Sequence, residues 1–203
     1  DVIGVESIVF NLENGAWYVA VDGNDSNSCR SSASPCASIN GAINRPDFRA
    51  GDAIFISGGT YYSSSNDSVI RLNKDVILSG GWNRDFDRQS AVTIIDGQQV
   101  RRGIIIDKGT VVTIENVSIR NSYARYASWE GKGAGIHNRG SLTLKSSSIY
   151  ENLAHFAGAG IYNAGDLHLY NSSVYGNIST FAGAGILNAS RLNINNSTIS
   201  QNV

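Results

Sequence analysis

Residues 133–157 read GAGIHNRGSLTLKSSSIYENLAHFA, and residues 158–182 repeat the pattern as GAGIYNAGDLHLYNSSVYGNISTFA. A third copy, GAGILNASRLNINNSTISQNV, occupies residues 183–203. The copies begin at the evenly spaced Gly133, Gly158 and Gly183, and this strict period aligns glycine, asparagine and aliphatic residues in all three. Self-similarity at a fixed period of roughly 20 to 50 residues indicates a solenoid, a propeller or another repeat array.

The pattern within each copy favours a parallel β-helix among these arrays. Short stretches such as AGI, LTL and SSIY alternate apolar and polar residues, which is typical of half-buried strands. A propeller blade needs four strands over roughly 40 residues, and a leucine-rich repeat needs a different asparagine frame. The sequence therefore predicts an all-β, right-handed parallel β-helix with three short strands in each coil of about 25 residues.

The aligned positions have predictable roles in such a coil. Aliphatic residues are expected to stack inside, the alanine of each GAG to fill a tight inward position, and the glycines to allow close backbone approach. Asparagine side chains are expected to bond from coil to coil. The segment VTIENVSI (112–119) matches LTLKSSSI (142–149) at a slightly longer spacing, which extends the register upstream. The aligned aliphatic residues include Ile136, Ile161 and Ile186; Leu142, Leu167 and Leu192; and Ile149, Val174 and Ile199.

The chain divides into three parts on this interpretation. Residues 1–16 form an N-terminal extension, residues 17–50 a cap, and residues 51–203 the β-helix, with regular coils from residue 133. Within the cap, SINGAIN (38–44) predicts a short helix, because its apolar residues have helical spacing and Ser38 can cap its first turn. A solenoid needs such a cap to cover the apolar end and strand edges of its first coil.

Cys29 and Cys36 are separated by six residues in a serine-rich loop. A local disulfide is favoured over a metal site because no histidine lies near them, and a disulfide fits a secreted or cell-surface protein. Charged residues make up 16% of the chain and the net charge is −1, so nucleic acid is not an expected partner. No apolar run reaches the roughly 20 residues of a membrane helix, and membrane insertion is not expected. The absence of methionine suggests a processed or trimmed chain.

A family resemblance covers about residues 17–203. The segments YVAVDGND, ASINGAIN, GDAIFISGGTY, LSGGWN, TIIDG and VTIENVSIRN occur in this order before the GAGIxN coils. This resembles bacterial secreted right-handed parallel β-helix proteins of the polymorphic outer membrane protein, or adhesin-like, type with a cysteine-containing N-terminal cap. The resemblance implies a surface or adhesive role rather than catalysis. Such proteins usually carry many more coils and a C-terminal anchor.

Catalysis is not expected from the sequence. A glycosidase needs two carboxylates on one face, and the regular coils hold only Glu151 and Asp166 as acids. No Asp-Asp pair or Gly-His-Gly occurs, and His137, His155 and His168 are interpreted as surface or turn residues. GAG followed by isoleucine lacks the lysine of a phosphate loop. We therefore predict no catalytic residues and no cofactor.

The segment DGNDSNS (22–28) is a candidate Ca²⁺ loop with oxygen ligands from Asp22, Asn24 and Ser26. It lacks the glycine and the distal glutamate of an EF-hand, and an Asx-rich turn is the favoured alternative. Eight N-x-S/T sequons also occur, which could carry sugars in a host that glycosylates. They begin at Asn24, Asn66, Asn116, Asn171, Asn177, Asn188, Asn195 and Asn196.

Two further sets of residues are candidates for binding. Trp82, Tyr123, Tyr126 and Trp129 could form a platform on which sugars stack, or they could pack over a coil edge. The extension segment VESIVFNL (5–12) could add as a strand to the edge of a neighbouring molecule, or pack on its own cap. Its apolar residues for this role are Val5, Ile8 and Phe10.

These observations favour a non-catalytic extracellular structural or adhesive protein. Open coil ends and the N-terminal strand could join copies head to tail into filaments. One alternative is a β-helix protein that binds or degrades carbohydrate, and another is a fragment of a longer surface adhesin. The expected partners are further copies of the chain, other surface proteins or glycans.

Overall fold

The structure, a computed structural model, describes residues 15–64, 67–125 and 131–203. The proposed assembly strand with Val5, Ile8 and Phe10 lies outside the described residues, as do Tyr126 and Trp129. The predictions that concern these five residues therefore stay predictions.

Almost all regular structure in the described residues is strand. One helix, α1 (Ile39–Ile43), lies in the cap. In chain order the strands are β1 (Ala16–Val19), β2 (Ala53–Ser57), β3 (Gly59–Tyr61), β4 (Ser68–Leu72), β5 (Val76–Trp82), β6 (Thr93–Asp96), β7 (Arg102–Ile106), β8 (Val111–Glu115), β9 (Val117–Arg120), β10 (Tyr123–Ala124), β11 (Ile136–Asn138), β12 (Ser141–Lys145), β13 (Ser148–Tyr150), β14 (Leu153–Ala154), β15 (Ile161–Asn163), β16 (Asp166–Tyr170), β17 (Ser173–Tyr175), β18 (Ile178–Ser179), β19 (Ile186–Asn188), β20 (Arg191–Asn195) and β21 (Thr198–Ser200).

The strands form parallel sheets in which each strand pairs with its counterpart from the next coil. The seven-stranded sheet has the order β1-β2-β5-β8-β12-β16-β20, and the six-stranded sheet β3-β6-β9-β13-β17-β21. The five-stranded sheet has the order β4-β7-β11-β15-β19. Successive strands of one coil belong to different sheets, which is the arrangement of a parallel β-helix. The predicted fold class is confirmed.

The register agrees with the sequence repeat. Leu142 pairs with Leu167, and Leu167 pairs with Leu192, so equivalent positions of consecutive copies lie side by side. The upstream match is also confirmed, because Val112 pairs with Leu142. The longer spacing there reflects extra residues after β10, while the pairing of the strands themselves is undisturbed.

Three consecutive coils contain a fourth, very short strand that the sequence pattern did not predict. Strands β10, β14 and β18 are two residues long and form a sheet of their own. The alanines of β10 and β14 pack with those of two GAG segments in a small cluster separate from the main core. The cluster consists of Ala124, Ala134, Ala154 and Ala159, all fully buried.

Stacked polar side chains complete the interior. The Asn138 amide Nδ2 donates to Asn163 Oδ1 at 2.7 Å, and Asn163 donates to Asn188 at the same distance. A second ladder joins Asn152, Asn177 and Asn202 at 2.9 Å per step. The predicted coil-to-coil asparagine bonds are thus present. They satisfy amide groups that would otherwise be buried without partners.

The corners that follow β8, β12, β16 and β20 of the seven-stranded sheet have left-handed backbone. Asn116, Ser146, Asn171 and Asn196 occupy corresponding positions with φ between 44° and 55°. Asparagine tolerates this conformation better than most residues, because its short polar side chain can bond locally. The repeated left-handed residue turns the chain from the seven-stranded to the six-stranded sheet at the same point in every coil.

The cap covers the first coil as predicted. The side-chain oxygen of Ser38 accepts from the Gly41 amide at the start of α1, whose apolar residues are buried. Cys29 and Cys36 form a disulfide and are fully buried. The loop that they close bonds to the outer edge of β1, where the Tyr18 and Ala20 amides donate to the two cysteine carbonyls. The unpaired edge of the first coil is thereby satisfied.

We predict that Asn177→Ala lowers the free energy of unfolding by about 3 kcal/mol, because several buried groups lose a partner at about 1–3 kcal/mol each. Asn177 accepts from Asn152 and donates to the Ile149 carbonyl and to Asn202. The measurement is a urea titration. Asn195→Ala is the matched control, since Asn195 is exposed and bonds only to Asn193 through its side chain. Equal losses for the two variants would contradict the structural role of the ladder.

Candidate functional site

The outer face of the seven-stranded sheet carries side chains that change from coil to coil. Residues at alternate positions of β8, β12 and β16 point outward, while Leu and Ile at the positions between them are buried. The register aligns the outward residues into columns, which we call the outer columns. One runs Thr113, Thr143, His168, Asn193, and another runs Ser79, Glu115, Lys145, Tyr170, Asn195.

These outer columns border an open groove of about 620 Å³ next to the left-handed corner. The groove crosses three adjacent coils, and its walls combine the ends of three strands with the corner residues that follow them. We call it the sheet groove. Its lining consists of Glu115, Asn116, Thr143, Lys145, Ser146, His168, Tyr170 and Asn171.

Glu115 is the most unusual residue of the sheet groove. It is only 3% exposed, yet among the described residues no hydrogen bond or ion pair reaches its carboxylate. Every fully enclosed side-chain oxygen or nitrogen in the described part of the chain has a partner. The Glu115 oxygens are therefore not fully enclosed, and they retain contact with the open groove. A carboxylate that is largely removed from water without a partner lowers stability.

The neighbours of Glu115 supply complementary chemistry. Lys145 is its partner in the β8–β12 pairing, but no ion pair joins the two side chains within the described residues. Tyr170 lies one coil further on, and its ring is parallel to that of His168 at 6.5 Å between centroids. The sheet groove thus combines a hydrogen-bond acceptor, an ammonium donor, amide groups and two flat rings. This set can bind a polar ligand with an apolar face.

The two described members of the predicted aromatic platform lie apart. Trp82 ends β5 in the seven-stranded sheet, whereas Tyr123 belongs to β10 in the three-stranded sheet. The Trp82 indole packs edge-on against Phe55 at 5.3 Å and donates to Ser79 Oγ. Because Ser79 pairs with Glu115, this indole lies one coil upstream of the sheet groove. Tyr123 instead contacts the ring of His155 at 5.5 Å.

The oxygens of the candidate calcium loop are engaged in other contacts. Asp22 forms an ion pair with Arg84 at 2.8 Å, and this bond lowers the pKa of the carboxyl group. The Asn24 side chain accepts from the Ser26 amide, which is the bond of an Asx turn. Among the described residues no cluster of three acidic, histidine or cysteine side chains could hold a metal ion. The geometry favours the turn interpretation of this segment.

The three histidines differ in environment. His155 is exposed and His168 borders the sheet groove. His137 packs against Tyr162 at 5.0 Å and its Nδ1 donates to the Lys132 carbonyl. Burial lowers the pKa of His137, and the nearby Arg102 and Arg139 act in the same direction. His137 and His168 are thus half-buried at outward strand positions, and His155 is exposed.

Sequence reasoning missed the sheet groove because its residues come from three coils and follow no repeat. Glu115 lies in the coil upstream of the regular copies, where only the inward aliphatic positions match the repeat. An alignment of the outward positions between coils could have revealed the groove. It places an acid, a base and an aromatic residue side by side at positions 115, 145 and 170. Among the sequons, Asn177 is fully buried in its ladder, so the folded chain cannot present it for glycosylation.

The fold and the sheet groove define a parallel β-helix protein with an open polar groove on the outside of its largest sheet. Comparison with models of known protein families and with curated proteins finds no match. Within the described part of the chain, no helix is long and apolar enough to span a membrane.

We predict that His137 contributes to a loss of stability in weak acid. Its folded pKa lies below the unfolded value of 6.5 because of burial. The neutral form of His137 favours folding. Its contribution to the free energy of unfolding is therefore fully present above the unfolded pKa and is lost as the pH falls through the folded pKa. His137→Tyr, which installs the residue of the next coil, should flatten this decline, measured as urea midpoints between neutral pH and weak acid. His155→Thr, an exposed control also taken from the next coil, should retain it. A decline that is unchanged in His137→Tyr would contradict the assignment.

Proposed function

We propose that this chain is a non-catalytic extracellular structural or adhesive protein, a rigid β-helix that presents binding groups on its outer face. The observation that carries the proposal is the contrast between the two sides of the strands. Inward positions repeat and are occupied by stacked aliphatic residues and asparagine ladders. Outward positions of the seven-stranded sheet vary more: one column runs Glu115, Lys145, Tyr170, and the other changes from Thr143 to His168 to Asn193. A solenoid with a constant core and a variable surface is suited to binding.

Catalysis is left out of the proposal because of the composition of the sheet groove. Its lining includes one carboxylate, Glu115. Glycoside hydrolysis commonly uses two carboxyl groups about 5 to 9.5 Å apart. One isolated carboxylate beside a lysine is better matched to holding a ligand than to cleaving it.

An extracellular location is supported by the disulfide and by the sequence resemblance. The Cys29–Cys36 bond closes the cap loop, and disulfides persist mainly in oxidising compartments. The resemblance to polymorphic outer membrane proteins and related adhesins points to the surface of a bacterial cell. A longer adhesin that contains this region as one part has the same implication.

Self-association of this 203-residue chain is the structural component of the proposal. In the last coil Ile194 and Ile199 are 41% and 43% exposed, whereas their counterparts Leu169 and Val174 one coil earlier are buried. A further coil that stacks on β19, β20 and β21 can cover this apolar row. A second copy joined head to tail is the occupant that we propose.

Sedimentation velocity over a range of concentrations tests this self-association. The unaltered chain should form larger species as its concentration rises, and Ile194→Ser/Ile199→Ser should remain monomeric. The double variant should fold normally, because both side chains are already partly exposed. Val100→Ser/Val111→Ser is the matched control, since it removes two exposed valines far from the last coil. A chain that stays monomeric up to its solubility limit would remove self-association from the proposal and leave the adhesive role to be tested through ligand binding.

A further inference from the structure

We propose that the sheet groove is a binding site for a neutral oligosaccharide. In this assignment Glu115 accepts hydrogen bonds from sugar hydroxyls and Tyr170 packs on the apolar face of a sugar ring. The inference rests on the proposed adhesive function, for which it names the site and the ligand class. The residues of this proposed site differ from those of the sugar platform predicted from the sequence, which were Trp82, Tyr123, Tyr126 and Trp129.

The argument that a ligand binds here begins with Glu115. Other buried acidic groups of the described chain are paired: Asp52 accepts from the Gly15 amide, the Trp17 indole and the Arg49 amide, and Asp96 accepts from Arg120. Glu115 is as buried as these and has no such donor among the described residues. The sheet groove that Glu115 lines is open, so a donor of a bound ligand can reach its oxygens.

The chemistry of the remaining lining indicates a polyhydroxylated ligand. A carboxylate accepts through two oxygens and can bind a pair of adjacent hydroxyls. Lys145 and the amides of Asn116 and Asn171, one from each of three coils, supply donors along the sheet groove. Aromatic rings offer an apolar surface with a negative face, and sugar rings present polarised C–H groups on one side. The Tyr170 ring can offer such a face, and the His168 ring lies parallel to it at 6.5 Å between centroids.

The charge balance favours a neutral sugar chain. Glu115 and Lys145 are in-register neighbours of opposite charge, and they cancel at neutral pH. A polyanion would be attracted by Lys145 but repelled by Glu115. A polycation would be attracted by Glu115 but repelled by Lys145. A metal-bridged ligand is disfavoured, because the described residues contain no cluster of three metal-binding side chains of the acidic, histidine or cysteine type.

The dimensions favour an oligosaccharide over a single sugar. Strands β8, β12 and β16 are consecutive in the sheet. At about 4.8 Å between neighbours, their outer columns extend roughly 10 Å along the β-helix axis. The columns continue through Asn193 and Asn195 on β20. A chain of sugars lying along this axis would contact successive coils, with Glu115 at one end and the aromatic pair beyond Lys145.

The experiment is a binding measurement by calorimetry and ligand-detected NMR on the unaltered chain. The probes are three neutral tetrasaccharides, namely cellotetraose, mannotetraose and N-acetylated chitotetraose, together with acidic tetragalacturonate and cationic chitosan tetramer. At least one neutral tetrasaccharide should bind, and more tightly than either charged one. Glu115→Gln should weaken that binding about tenfold or more, since hydrogen bonds to a charged acceptor are the stronger ones. Tyr170→Leu should weaken it as well.

Matched controls separate the site from general surface effects. Glu151→Gln removes an exposed carboxylate, and Tyr175→Leu removes a tyrosine that stacks on Tyr150 in the six-stranded sheet. Both should bind the probe as the unaltered chain does. Circular dichroism melting curves verify that the groove variants are folded, and Glu115→Gln preserves the shape of the side chain.

Three results would overturn the proposal: no binding of any neutral tetrasaccharide, tighter binding of a charged one, or equal affinity in Glu115→Gln. Other results bear on the proposed function rather than on the sheet groove. Appearance of shorter products during incubation would support the sheet groove as the sugar site and contradict the non-catalytic role. Loss of sugar binding would leave the sedimentation result on self-association untouched.

Discussion

The in-register parallel pairing of successive coils is the constraint on which the rest of this structure depends. Because each strand lies on its counterpart, Leu142 contacts Leu167 and the Asn138 amide meets the amide of Asn163. A slip of one residue would turn the aliphatic row outward and break both asparagine ladders. Hydrophobic stacking and side-chain hydrogen bonding therefore specify the same register, and that agreement permits short strands, some of two residues, to hold a defined position.

The features that the register determines, namely the inward positions and the strand pairing, could be predicted from the sequence. The strict repeat identifies the inward aliphatic and asparagine positions without reference to coordinates, and the Val112–Leu142 pairing follows from it even across a longer loop. The strand Leu153–Ala154 was missed because two residues show no alternation. Glu115 was missed for the opposite reason: outward positions need not match between coils, so self-alignment gives them no weight, and only pairing places it beside Lys145.

The same physics explains why Glu115 stands out from the interior. Inside the regular coils the stacked asparagines bond to their own copies one coil away, as Asn152 does to Asn177. An outward residue without a like neighbour has no such partner, and Glu115 is followed by a lysine and then a tyrosine. Local departures from otherwise consistent stabilisation are expected where a protein binds something. The unpaired Glu115 carboxylate is such a departure among the described residues, whose fully enclosed side-chain polar atoms all have partners.

A repeat of this kind also separates folding from recognition within a single strand. In β16 the residues Leu167 and Leu169 are buried and repeat, while His168 and Tyr170 are half-exposed and do not. Replacing an outward residue leaves the stacking row and the asparagine ladders in place, so the stability cost of changing the surface is small. The β-helix can therefore carry different chemistry on each coil. Three consecutive coils that contribute an acid, a base and an aromatic residue form a groove that none of them contains alone.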